Sequence, residues 1–287
     1  MECEELEGGS VTCTKKRESP VFSYYAIACY NEQMKKIIIG NWKMYPVSMK
    51  DAQEKFKGIK KVAATLRNVQ TVICPPFVYA SDLRKLVTGH RCVVGAQNAW
   101  LENEGAFTGE VSPAMLASIK LSYVILGHSE RRALGETDEL VNKKVLAAIK
   151  AGITVVLCVG ENERDPDGEY LKHIATQIKI ALKSVTKKDL TQVVIAYEPI
   201  WAIGKHALRA ASTDDALEVS ILIKKTLAEL YSKEGSIVPI LYGGSVDAKN
   251  AWEFLMKSHV DGLLVGRASL DPKVFGEILK SADTIKS

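Results

Sequence analysis

Lys43, His128 and Glu198 each stand just past an apolar run: Ile37-Ile38-Ile39, Tyr123-Val124-Ile125-Leu126 and Val193-Val194-Ile195-Ala196. A lysine supplies a cation, a neutral imidazole supplies a hydrogen-bond donor, and a glutamate supplies a base. Together they are the parts needed to move a proton beside a carbonyl. A carboxylate in an apolar mouth covered by a closing loop has its charged form disfavoured, so the basicity of Glu198 rises towards neutral pH. If His128 meets the N-terminus of the helix that follows it, the positive end of that dipole keeps the imidazole neutral. Each residue also has a plainer reading: a solvated lysine, a core histidine bonded to backbone, a glutamate paired with a base. Glu130 and Arg131 read as ion-pair partners. His90, His173, His206 and His259 read as surface, and without metal-ligand spacing no metal or cofactor is expected.

A second group is glycine. Gly204, Gly243-Gly244 and Gly266 follow three successive apolar runs, with Ser245 among them. Backbone N–H groups on such loops can cradle a phosphate, and glycine lets the backbone approach it. Tight turns are the alternative reading of the same glycines.

The apolar runs number eight: around Ile38, Val72, Val93, Val124, Val155, Val194, Ile240 and Leu263. They do not alternate in polarity, as expected of strands buried on both faces. Between them lie helical patterns, clearest over 48–67, 137–151, 169–185, 213–231 and 271–280. Ser48, Thr137, Thr213, Asp247 and Asp271 are candidate N-caps, with Pro272 at a first helical position and Gly152 as a stop. In the helix from Thr213, the residues Val219, Leu222, Ile223, Leu227 and Leu230 form one apolar face. Strand and helix repeated eight times in about 250 residues predict a single-domain α/β protein, a closed parallel (β/α)8 barrel. A doubly wound open sheet would want a glycine-rich turn after the first strand, and Gly40-Asn41-Trp42-Lys43 lacks one. In a barrel, the chemistry gathers where the strands end.

Composition bounds the function. The 287 residues are 47% hydrophobic and 25% charged with a net charge of +4, which is too apolar for disorder and too weakly basic for a nucleic-acid binder. No apolar run reaches the roughly 20 residues of a membrane span. Six scattered cysteines without C-x-x-C spacing fit a reducing cytoplasm. Residues 1–33 differ from the rest: six acids against three bases give −3, leaving +7 on residues 34–287. Lys15-Lys16-Arg17 before Val21–Ala28 is weakly signal-like, but the leading glutamates and the short apolar run oppose secretion. The segment reads as an irregular, disordered extension or as sequence upstream of a mistaken start, Met34 being the better start.

From Met34 to Ser287 the chain resembles the triosephosphate isomerase family. The resemblance rests on Gly40-Asn41-Trp42-Lys43-Met44, Gly95-Ala96-Gln97-Asn98, Gly105–Glu110, Val124–Arg132, Gly135-Glu136, Cys158–Glu161, Ala196–Gly204, Tyr242–Val246 and Leu264-Val265-Gly266, in order. It implies a TIM barrel that interconverts dihydroxyacetone phosphate and glyceraldehyde 3-phosphate in glycolysis and gluconeogenesis. Glu198 would carry the proton, neutral His128 would polarise the carbonyl, and Lys43 would stabilise the enediolate. A glutamate base beside a neutral histidine is the pairing that this resemblance implies. Asn41 would orient the substrate and Ser129 would hold Glu198 in the open site. Backbone N–H groups of Gly204, Ser245, Gly266 and Arg267 would hold the phosphate. The stretch from Pro199 to about Ala210 would be a lid. The resemblance also implies a homodimer in which Thr108 reaches the partner's site near Lys43 and His128, and a cytoplasmic enzyme needing neither nucleic acid nor membrane.

Two departures stand out. The lid reads Gly204-Lys205-His206-Ala207-Leu208-Arg209-Ala210, about two residues longer than the family pattern and without its second hinge. Arg267 occupies a position usually held by glycine; a left-handed backbone there would cost about 1–2 kcal/mol. Two rival readings compete with the isomerase. A barrel without catalysis is opposed by the intact Lys43, His128 and Glu198. A Schiff-base aldolase would want a lysine where Glu198 stands.

Overall fold

The computed structural model describes residues 2–6, 10–14, 35–203 and 209–285. Eight parallel strands close into a barrel. They are β1 (Lys36–Asn41), β2 (Val69–Cys74), β3 (Cys92–Ala96), β4 (Tyr123–Leu126), β5 (Thr154–Val159), β6 (Val193–Tyr197), β7 (Ile240–Tyr242) and β8 (Gly262–Val265). Closure is made by β8 pairing with β1, Gly262 opposite Ile37 through Val265 opposite Gly40. All eight predicted runs are strands. The seventh is shorter than expected: Pro239 has no N–H for the ladder and stands outside β7, its carbonyl accepting from Ile195 N–H at 2.9 Å.

Side chains pointing into the barrel, among them Ile39, Val72, Ile125, Val156, Val194, Leu241 and Leu264, form one cluster. Their neighbours on the opposite strand faces pack under the helices in a second, larger cluster. This two-sided burial explains why the runs lack alternation. Cys74 and Cys158 lie in the inner cluster as buried free thiols, and burial pushes both thiols up in pKa.

The helices begin where the caps predict, with two corrections. Ser48, Thr137 and Asp271 accept backbone N–H groups at the starts of α1 (Met49–Ala63), α5 (Asp138–Lys150) and α9 (Pro272–Asp283). The cap of α7 (Thr213–Tyr231) is Ser212, which forms a reciprocal capping box with Asp215; Thr213 is already helical. Asp247 caps a turn, accepting from Lys249 and Asn250 N–H, and the helix Ala251–Lys257 starts only after it. Gly152, at φ +77°, ends α5 as expected. On α7, Val219, Ile223 and Leu227 are buried and Leu222 packs against the core, but Leu230 is exposed; in that last turn Tyr231 is the buried residue, its hydroxyl donating to the Leu182 carbonyl at 3.1 Å.

The barrel unit runs Lys35–Ile285. Within the N-terminal extension, Glu2–Leu6 pairs antiparallel with Ser10–Thr14. The sequence reading had no strand there.

Candidate active site

The strand ends converge on a cavity of about 550 Å³ lined by Asn41, Lys43, His128, Glu130, Glu198, Gly243, Gly244, Ser245, Gly266 and Arg267, among others. Lys43, His128 and Glu198 come from β1, β4 and β6, and all three face this one space. Sequence adjacency plays no part in the grouping; barrel closure brings β1, β4 and β6 to one rim.

Lys43 takes a backbone conformation that side chains rarely adopt, φ +51°. A non-glycine residue there costs about 1–2 kcal/mol, and such strain is characteristic of functional positions. Two side chains hold it in place. Asn41 Oδ1 accepts the Lys43 N–H at 3.0 Å, and Gln97 Nε2 donates to the Lys43 carbonyl at 2.8 Å. The ammonium donates to Glu130 Oε1 at 2.6 Å, the ion pair expected of Glu130. Arg131 pairs instead with Glu136, at 2.7 Å.

His128 caps the short helix α4 (Ser129–Ala133): its Nδ1 accepts the Glu130 N–H at 3.2 Å. An accepting Nδ1 puts the ring proton on Nε2, the tautomer that donates. Nε2 lies 3.0 Å from Glu198 Oε1. Glu198 is buried, and its other oxygen accepts the Ser129 backbone N–H at 2.9 Å. Ser129 therefore holds Glu198 through main chain. Burial alone would raise the Glu198 pKa, but His128, the Ser129 N–H and Lys43 outweigh it and hold the carboxyl below its ordinary range. The expected rise is reversed in this arrangement because the carboxylate is fully hydrogen-bonded. Burial opposes an imidazolium at His128, as does the Glu130 N–H donated to Nδ1, which requires the expected neutral ring; the adjacent carboxylate acts the other way and raises the pKa of His128.

The glycine loops close against this chemistry. A Cβ on Gly243 would lie 3.1 Å from Glu198 Cγ, and one on Gly266 would lie 3.7 Å from Lys43 Cε. Any side chain larger than glycine at 243 would crowd the glutamate. Arg267 opens a 3-10 turn, Arg267–Leu270, and has no positive φ, so the anticipated left-handed cost is absent. It is exposed at the cavity rim, as is Ser245. Gly204 and the lid residues Lys205–Leu208 lie outside the described residues. Thr108 is exposed on the loop after β3, away from the cavity lining of its own chain.

Several supporting residues escaped the sequence reading. Lys144 is wholly buried, donating to Glu136 at 2.6 Å and to Asn98 at 3.0 Å. It sits between Val141 and Ala148 on the inward face of α5, so helical periodicity alone marks it as a buried cation needing a partner. Glu161, past the end of β5, accepts from the Tyr197 hydroxyl at 2.9 Å and from Trp201 Nε1 at 2.7 Å. Among the described residues there is no cluster of acidic, His or Cys side chains able to hold a metal, and no helix long and apolar enough to cross a membrane.

Comparison with known proteins gives a consistent result. A family model described as triosephosphate isomerase matches residues 36–282. Triosephosphate isomerase of Thermoanaerobacter sp. (strain X514) is 44% identical over 249 residues, 85% of this chain and 98% of the relative. That of Aquifex aeolicus (strain VF5) is 42% identical over 250 residues, 86% of this chain and all of the relative. That of Dehalococcoides mccartyi (strain ATCC BAA-2266 / KCTC 15142 / 195) is 42% identical over 257 residues, 88% of this chain and all of the relative.

Proposed function

The chain belongs to the triosephosphate isomerase family, whose reaction interconverts dihydroxyacetone phosphate and glyceraldehyde 3-phosphate, and on that premise we propose how its side chains divide the work. Glu198 is the base. It removes a proton from C1 of dihydroxyacetone phosphate; the C–H electron pair becomes the C1–C2 double bond, and the carbonyl pair moves onto O2. His128 donates its Nε2 proton towards that oxygen, and Lys43 offsets the enediolate charge. Glu198 then returns the proton to C2, while the hydroxyl proton passes from O1 to O2 by way of His128.

The observation that carries this reading is the shared cavity of Lys43, His128 and Glu198, with the Gly243 and Gly266 backbones beside them. Asn41 supports it by fixing Lys43. The phosphate falls to the N–H groups of Ser245, Gly266, Arg267 and Gly204. The cavity has ample room for a triose phosphate, and backbone donors on glycine loops suit a phosphate dianion. The segment from Pro199 to Ala210 acts as a lid that excludes water from the enediolate.

Assembly as a homodimer is part of the same proposal. Met44 and Val47, just past β1, are 88% and 93% exposed, and Phe107 stands exposed beside Thr108. Apolar side chains left in water next to the active site favour burial against a second copy, with Thr108 reaching the partner's cavity. A cytoplasmic setting fits the three free cysteines of the barrel.

The deciding experiment is a coupled assay of glyceraldehyde 3-phosphate turnover in the wild type and Glu198→Gln. Losing the base should lower kcat by about 10²- to 10⁴-fold. Equal turnover in the two proteins would end the assignment.

A further inference from the structure

The strap that follows Glu198 is gripped by charged groups that the proton chemistry does not use. Trp201 lies in the 3-10 turn Ile200–Ala202, and its indole N–H is committed to Glu161. The Arg209 guanidinium lies over the same indole, 4.5 Å from the ring centre. Arg209 also grips Asp215 with both arms of its fork, at 2.6 and 2.8 Å. Asp215 is itself fixed in the first turn of α7, where it accepts from Ser212 N–H at 2.7 Å and from the Ser212 hydroxyl at 2.8 Å. Arg164 reaches the same carboxylate at 3.1 Å and sits 5.4 Å from the Trp201 ring centre. These contacts hold the Asp215 carboxyl far below the usual range.

An exposed ion pair contributes little when it is only an ion pair. Arg209 does two things at once: its flat guanidinium is both a bidentate partner and a stacking surface, a combination that lysine cannot reproduce. The residue also falls in the stretch where the sequence departs from the family's usual lid.

We infer that Arg209 is a positioning residue for the isomerisation, tying Trp201, and with it the strand exit that bears Glu198, to the first turn of α7. The inference rests on the reading of Glu198 as the base. Trp201 and Arg209, which flank residues 204–208, are thereby joined before substrate arrives. When only part of a population is set for binding, apparent affinity falls by that fraction, whereas the step inside the saturated complex is unaffected.

The test compares wild type, Arg209→Leu, Arg209→Lys and Asp215→Asn in the coupled assay, with KM and kcat separated and tryptophan emission recorded. Arg209→Leu should raise KM about fivefold, as expected for a smaller competent fraction, with kcat within about twofold of wild type. Its emission should shift as the guanidinium leaves Trp201, and Asp215→Asn should shift it the same way. Arg209→Lys should recover only part of the KM, because the fork and the stack are gone. The same emission shift should appear when Arg209→Leu is made in the slow Glu198→Gln background. An unchanged KM with unchanged emission in Arg209→Leu would overturn this inference alone. So would a fall in kcat and melting temperature at constant KM, which marks a merely structural role. Turnover by Glu198→Gln equal to that of wild type would instead remove the base assignment beneath it.

Discussion

The single proton on His128 Nε2 cannot serve two acceptors. It points at Glu198, so a carbonyl oxygen that takes this donor must displace the carboxylate, which then becomes available to a substrate carbon. The pair leaves a mark on stability. Glu198 is depressed from its ordinary 4.5, so its contribution is present above that pH and is lost as pH falls through the depressed value. His128 is raised from 6.5, so its contribution is complete below that pH and fades as pH rises through the raised value. The pair therefore stabilises most between pH 4.5 and 6.5. Melting temperatures of wild type and Glu198→Gln should differ most in that window and converge on either side; a gap that ignores pH would refute the coupling. At Arg267 the argument is steric. With no positive φ to relieve and an exposed side chain, Arg267→Gly should leave KM within a few-fold of wild type. A KM lower by orders of magnitude in the glycine variant would mean that the arginine obstructs the cradle.

At the level of elements, the site depends on how closely two neighbouring strand exits approach. Gly160 follows β5, and a Cβ there would overlap the Glu198 carbonyl, a backbone atom with no freedom to yield. Its own N–H donates to Gln177 at 2.8 Å, locking the loop from the helix side. Gly160→Ala must push the exit of β6 outward. Overpacking of this kind costs about 1–3 kcal/mol. For a chain of this size that corresponds to a melting temperature lower by roughly 2–10 °C. Because the displaced backbone carries Glu198, kcat should fall as well; calorimetry beside the coupled assay checks both. A stable variant with full kcat would show that the two exits can separate without harm.

For the whole molecule, the barrel unit Lys35–Ile285 holds both hydrophobic clusters and every described residue of the site. The extension before it differs in charge and composition. A protein beginning at Met34 should therefore melt at the same temperature as the full chain, retain kcat/KM, and sediment as a dimer. Loss of the dimer on truncation would give residues 1–33 a role in assembly, and a monomer in both forms would remove the homodimer proposal.

Barrel class, the eight strands and the position of Lys43, His128 and Glu198 at strand ends were legible in the chain, because continuous apolar runs and the polar residues closing them are local patterns with one good packing solution. Most capped helix starts were legible to within a residue, but the helix expected from Asp247 begins at Ala251, and Ser212 was missed in favour of Thr213 because either hydroxyl could cap until the backbone chose. What lay beyond local pattern was everything set by contact across the barrel. The depressed carboxyl of Glu198 follows from two donors on another strand exit, and composition around residue 198 points the other way. The left-handed backbone of Lys43 needs Gln97, and the buried Lys144 needs Glu136 and Asn98. Periodicity tells which residues face inward, but the partners that satisfy a buried charge are supplied by strands and helices far apart in the chain, and their proximity exists only once the barrel has closed.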